Sequence, residues 1–269
     1  MAVERLLGRR LFITRLTRTT LGVVVMGSLA ACATGEGATS GEGASAGGTS
    51  AGGSSAGTEQ SSPPAPSPGG TDAVDWHRVN LGFVSAYVLV RAGEAAVVDT
   101  GVEGSADDIE QVLAAAGLDW AAVGHVILTH KHPDHVGSAA DVLERAADAT
   151  PYAGHADIPA IDSPREVRAV ADDDEVFGLQ VITTPGHTPG HISVLDRAGG
   201  LLVAGDALTG ARGGGGVTGP NAQFTEDMDT ANKSIRKLAG FTFETAVFGH
   251  GEPLEGGADA EVAELAGTL

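Results

Sequence analysis

The chain has 269 residues, with 16 Lys and Arg against 35 Asp and Glu and a formal net charge of −19. That balance excludes a nucleic-acid partner gripped through its phosphates, which needs a basic surface. The single cysteine, Cys32, excludes a disulfide framework and any zinc site built on thiolates, so a bound metal must use imidazole and carboxylate.

The charge is unevenly spread. Arg5, Arg9, Arg10, Arg15 and Arg18 precede a short apolar run over Leu21–Leu29. A bilayer span needs ~20 apolar residues, so the run fits the core of an export signal over residues 1–31 instead. Arg9-Arg10-Leu11-Phe12-Ile13 resembles a twin-arginine motif, and Leu29-Ala30-Ala31-Cys32 resembles the bacterial lipoprotein box. These resemblances imply cleavage before Cys32 and lipidation of its thiol. The product would be an exported protein anchored to the outer face of the cell membrane. Residues 32–73 are Gly, Ser, Ala, Thr and Pro with almost nothing large, and are expected to form a disordered tether, stiffest over Pro63–Pro68.

A catalytic domain is expected over residues 74–269. Apolar runs predict strands over Leu81–Val90 and Ala95–Asp99 with a turn at Ala92-Gly93. Ser105–Ala116 is expected to be helical, with Ile109, Val112, Leu113 and Ala116 on one face and Gly117 as its stop. A buried strand over His125–Thr129 and a helix over Gly137–Ala147 follow. Strands are then expected over Val176–Thr183, Ile192–Asp196 and Leu201–Ala204. Asp227–Ala239 reads as a helix with acid at its start and Arg236 and Lys237 at its end, as the helix dipole favours. A short strand over Ala246–Phe248 and one small closing helix complete the chain. Mixed strands and helices define a layered α/β or α+β class.

The chemistry concentrates in Thr129-His130-Lys131-His132-Pro133-Asp134-His135. Three imidazoles and a carboxylate fall within six residues directly after a strand, and these donors suit zinc, iron or manganese. On a turning backbone His130 and His132 can face one way while Asp134 and His135 face a neighbouring position. One segment can thus seed two adjacent metal sites.

This segment resembles the HxHxDH signature of the metallo-β-lactamase superfamily. Four further motifs follow the family's order over about residues 79–255: Val98-Asp99-Thr100-Gly101, Thr184-Pro185-Gly186-His187-Thr188-Pro189-Gly190-His191, Ala204-Gly205-Asp206 and Phe248-Gly249-His250-Gly251. The resemblance implies a four-layer αββα sandwich. It also implies two divalent ions, zinc before iron or manganese. His130, His132 and His187 would hold one, Asp134, His135 and His250 the other, and Asp206 would bridge them. Asp99 and His191 would support the ligands through hydrogen bonds. His77, His125 and His155 match no motif and read as structural or surface residues, and Lys131 as solvent-facing.

The implied activity is hydrolysis. A hydroxide between two metals attacks the carbonyl of a small ester, lactone, thioester or amide, and Asp134 or Asp206 passes a proton to the leaving group. Asp206 stands where the β-lactamases of this superfamily typically carry Cys or Ser, which points to the lactonase and thioesterase branches. The short stretch after His250 argues against a glyoxalase-type substrate. The Gly213–Gly216 run is expected to be a flexible loop bordering the cleft. Two other readings remain: an iron-dependent oxidoreductase on the same fold, sulfur dioxygenase-like, and a non-catalytic metal-binding surface lipoprotein.

Overall fold

The computed structural model describes residues 73–269. The expected export signal, Cys32 and the tether up to residue 72 lie outside the described residues. In chain order the first half contains β1 (Asp75–Asn80), β2 (Ser85–Arg91), β3 (Glu94–Val98), α1 (Ala106–Ala115), β4 (Val123–Leu128), α2 (Pro133–Val136), α3 (Ala139–Arg145), β5 (Thr150–Gly154) and β6 (Arg168–Val170). The second half contains β7 (Glu175–Val176), β8 (Leu179–Thr183), β9 (Ile192–Asp196), β10 (Leu201–Val203), β11 (Thr209–Gly210), β12 (Val217–Thr218), α4 (Met228–Leu238), β13 (Thr245–Val247), β14 (Leu254–Glu255) and α5 (Ala258–Gly267).

Each half builds one sheet. The first runs β1-β2-β3-β4-β5-β6, and the second β14-β13-β10-β9-β8-β7. The early hairpins are antiparallel, whereas β3 to β6 pair in parallel and need crossovers. In the second sheet only β10 and β13 are parallel, with α4 in the crossover between them.

Side-chain alternation explains the layering. Ala86, Val88, Ala95, Val97, Val126 and Leu128 point to α1 and α3, where Ile109, Leu113, Val142 and Leu143 meet them. Their neighbours Tyr87, Leu89, Ala96, Val98 and Ile127 point the other way, against Leu179, Val181, Ile192, Val194, Leu201 and Val203 of the second sheet. That sheet's outer face, Ile182, Leu195 and Leu202, packs with Ile235 and Leu238 of α4 and with Val262 of α5. A period of two with both faces apolar forces helix, sheet, sheet, helix. The expected four-layer αββα sandwich is the observed fold.

Local boundaries differ from expectation where polar residues or tertiary bonds intervene. β1 is a polar edge strand that an apolar-run criterion passes over, and Leu81–Val84 is its turn, closed by Leu81 N–H to Val84 O at 3.0 Å. The strand expected over Val176–Thr183 is a hairpin, because Phe177 and Gly178 both take positive φ, 55° and 69°. The helix expected over Gly137–Ala147 breaks at Gly137-Ser138. There Gly137 N–H donates to Gly101 O at 2.8 Å and Ser138 Oγ donates to Val102 O at 2.6 Å. The Gly213–Gly216 run is a loop, at the tip of the small β11–β12 hairpin. Among the described residues no helix is long and apolar enough to cross a membrane.

Candidate metal centre

The site lies where strands of both sheets end. Asp99 follows β3, His130 and His132 follow β4, and His135 sits in the single turn of α2, started by Pro133 at its first position. From the second half, His187 sits on the β8–β9 loop, Asp206 just past β10, and His250 just past β13. The structure brings all seven expected ligand-type residues together. Three overlapping groups have mutually close donor atoms: His130, His132 and His187; His130, His135 and Asp206; and Asp134, His135 and His250.

Three ring nitrogens share the first group. His132 Nδ1 lies 3.0 Å from His130 Nε2 and 2.9 Å from His187 Nε2. Asp206 stands between the groups, with Oδ2 3.3 Å from both His187 Nε2 and His250 Nε2, and Oδ1 3.5 Å from His135 Nε2. Asp134 Oδ2 lies 3.4 Å from His250 Nε2.

The outward nitrogens fix the ring tautomers. His135 Nδ1 faces Asp99 Oδ2 at 2.8 Å, an acceptor, so it carries the proton. His250 Nδ1 donates to Phe83 O at 2.6 Å. Thr129 Oγ1 donates to Asp99 Oδ2 at 2.8 Å and therefore accepts from His130 Nδ1 at 3.0 Å. Thr225 Oγ1 donates to Asn221 O at 2.8 Å and accepts from His187 Nδ1 at 3.1 Å. In all four rings, with the ring neutral, the Nε2 lone pair then points inward, as metal ligation requires.

Two atoms deep in the site, His135 Nε2 and Asp206 Oδ1, are buried without a hydrogen-bond partner. Unpaired buried polar atoms are costly, and a shared cation would satisfy both. The donor set of five imidazoles and two carboxylates therefore fits divalent metal.

Electrostatics separate the rings into two kinds. Burial pushes His130 well below its usual value, pushes His187 down to about 4, and lowers His132. These three stay neutral and keep their lone pairs. Hydrogen bonds that His250 donates to Asp134 and Asp206 push its pKa up to about 10. Burial disfavours charge on His135, but Asp206 and Asp99 outweigh it and raise its pKa. Burial opposes ionisation of Asp206 too, yet His135 and His250 hold its pKa below the ordinary carboxylate range. The pocket thus draws positive charge to the two carboxylates.

The supporting residues are equally specific. Asp99 adopts φ 59°, tolerated for Asp, and its Oδ1 accepts Thr129 N–H at 2.7 Å. His191 is fully buried, with a pKa pushed down to about 3 by that burial. Its Nε2 accepts Asp206 N–H at 2.9 Å, so that nitrogen is already engaged. Lys131, expected to face solvent, is partly exposed and pairs there with Glu226 at 2.7 Å. His125, within β4, stacks on Tyr152 with ring centres 5.7 Å apart and belongs to none of the three ligand groups. His77 pairs with Asp75 at 3.3 Å, and His155 is exposed.

Three contributors escape sequence reading. Thr225 and Asp157 belong to no motif, and only their tertiary hydrogen bonds give them away. Phe83, 63% exposed, stacks on the His250 ring with centroids 6.3 Å apart. Its signal was an aromatic residue at a hairpin tip.

Comparison with known proteins agrees with this geometry. The sequence profile of the "Metallo-beta-lactamase superfamily" matches residues 79–250, and the chain belongs to that superfamily. It is 32% identical to the "Probable metallo-hydrolase YflN" of Bacillus subtilis (strain 168), over 72% of this chain and 90% of that protein. It is 37% identical to a hydroxyacylglutathione hydrolase of Alkalilimnicola ehrlichii, over 58% of this chain but only 56% of that relative's length. Among solved structures, TTHA1623 in a di-iron-bound form superposes with a TM-score of 0.56 and 27% identity, covering 66% of this chain and 93% of that one.

Proposed function

We propose that this chain is a dinuclear metallohydrolase acting on a small ester, lactone, thioester or amide. His130, His132 and His187 are assigned to one ion, Asp134, His135 and His250 to the other, and Asp206 to both. The observation that carries the reading is the pair of buried unpartnered atoms, His135 Nε2 and Asp206 Oδ1, amid inward-facing Nε2 lone pairs. When bound, divalent ions, zinc in the first instance, supply Lewis-acid activation of water and of the substrate carbonyl.

The protein's own groups do the rest. Asp99 and Thr225 hold His135 and His187 in the tautomers that leave Nε2 free. Asp206, 6% exposed, is enclosed. The Asp134 side chain is 29% exposed, with Oδ2 turned to His250. Asp134 rests as a carboxylate, its pKa lowered chiefly by the hydrogen bond with His250. We assign to its other oxygen, Oδ1, the role of taking the proton that the attacking water gives up and passing it to the leaving group. Phe83 offers an apolar wall beside His250. The relatives' names, a metallo-hydrolase and a hydroxyacylglutathione hydrolase, support acyl-group hydrolysis.

The test is proton release by pH-stat from the metal-loaded chain over lactones, thioesters, simple esters, amides and β-lactams, each with a chelator-stripped control. Metal-dependent release with one class supports the reading and names the substrate branch. No release from any class with two ions bound would overturn it, and oxygen uptake by an iron-loaded chain would favour the oxidoreductase.

We also propose export and lipid anchoring through Cys32, on the strength of Leu29-Ala30-Ala31-Cys32. Labelling with a radioactive fatty acid should mark the wild-type chain and not Cys32→Ala. Equal labelling, or none in either, would rule the anchor out.

A further inference from the structure

Asp157 follows β5 and is 0% exposed. Among the described residues no basic side chain pairs with it, so its carboxylate is held by hydrogen bonds alone. All three side-chain partners lie on the two loops that carry the first group of imidazoles. Lys131 N–H, between His130 and His132, donates to Oδ2 at 3.1 Å. Thr188 Oγ1, adjacent to His187, donates to the same oxygen at 2.5 Å. Gly190 N–H donates to Oδ1 at 2.8 Å. The approach is close enough that a Cβ on Gly190 would meet Asp157 N at 2.5 Å and Asp157 Cγ at 2.7 Å.

We propose that Asp157 is a positioning residue that clamps the His130–His132 segment to the His187 loop and thereby sets the spacing of the three imidazole nitrogens of the first metal group. The inference rests on the ligand assignment above. The two loops come from different sheets, His130 and His132 after β4 and His187 after β8. No strand ladder joins them; the backbone tie between their bases is Ile192 N–H to Thr129 O at 2.9 Å, and Asp157 adds the link further out, beside the ligands. One carboxylate reaches both. Asn at this position keeps an oxygen for Gly190 N–H but turns an amide NH2 toward Lys131 N–H, donor against donor. No residue of the second group, Asp134, His135 and His250, donates a hydrogen bond to the Asp157 carboxylate.

The experiment is a competition titration of the full chain with zinc and a chelating dye, comparing wild type, Asp157→Asn and His187→Ala. Cobalt(II) substitution adds a visible spectrum that identifies the affected ion. His187→Ala should bind one ion fewer and lose one cobalt band. Asp157→Asn should lose roughly 10–100-fold in affinity for that same ion and keep the other within a small factor of wild type. Equal weakening of both ions would overturn the clamp, since a merely structural role predicts that pattern. If Asp157→Asn does not fold, Thr188→Val removes one donor only and should weaken the same ion less. His187→Ala retaining both ions would sink the ligand assignment itself. His187→Ala losing one ion while Asp157→Asn and Thr188→Val match wild type would sink only the clamp.

Discussion

Thr225 Oγ1 meets His187 Nδ1 at 3.1 Å while donating its own proton to Asn221 O. A hydroxyl that has spent its proton can only accept, so this residue decides which nitrogen of His187 faces the metal centre. Thr225→Val should free the tautomer and lower metal affinity roughly 10-fold, while Thr225→Ser should restore it. Chelator competition measures both, and a Val variant indistinguishable from wild type would refute the role.

Tyr87 makes a prediction about stability. Its hydroxyl donates to Phe248 O at 2.7 Å and accepts from Phe248 N–H at 3.2 Å, two residues before His250. Burial pushes its pKa up to about 12. Tyr87→Phe strands both backbone groups of Phe248 and should cost about 1–3 kcal/mol. Urea unfolding should show a lower midpoint with an unchanged slope; an unchanged midpoint would contradict the prediction.

Gly249 is confined by space. A Cβ there would overlap Asp206 Oδ1 and the His135 ring. Gly249→Ala should therefore displace two assigned ligands and reduce bound metal per chain, read by elemental analysis. Full metal content and full activity would show that the pocket has slack.

Acid stability offers a prediction away from the centre. Lys237 of α4 pairs with Asp172 at 2.5 Å. Burial works against charge on Asp172, but bonds from Lys237 and Thr183 outweigh it and lower its pKa. A depressed carboxylate contributes stability above its unfolded pKa and loses it as pH falls through the folded one. Both groups are over a third exposed, so the contribution is screened to about 0.5 kcal/mol. Lys237→Met should flatten the acid limb of the stability curve by that amount below about pH 4, and an unaltered limb would exclude the pair's contribution.

The sandwich and the seven clustered residues were legible because their signals are local. Period-two apolar strands such as Ile192–Asp196 announce themselves, and His130 to His135 lie within one segment. What sequence did not reveal depends on contacts between distant segments. β1 is polar because it lies on an edge, the helix break at Gly137 comes from bonds to Gly101 and Val102, and Asp157 and Thr225 gain their meaning only from loops brought to them by the fold. The Lys131–Glu226 pair is hidden from sequence for the same reason, as Glu226 lies 95 positions along the chain.

The two sheets divide the chain cleanly, residues 75–170 in one and 175–255 in the other, and the assigned ligands divide with them. His130, His132, Asp134 and His135 belong to the first half, His187, Asp206 and His250 to the second. Neither half alone owns a complete coordination set. Under the proposed assignment, the ions act as rivets across an internal seam, and metal loading becomes a late checkpoint of maturation, passed only after both halves have folded and docked.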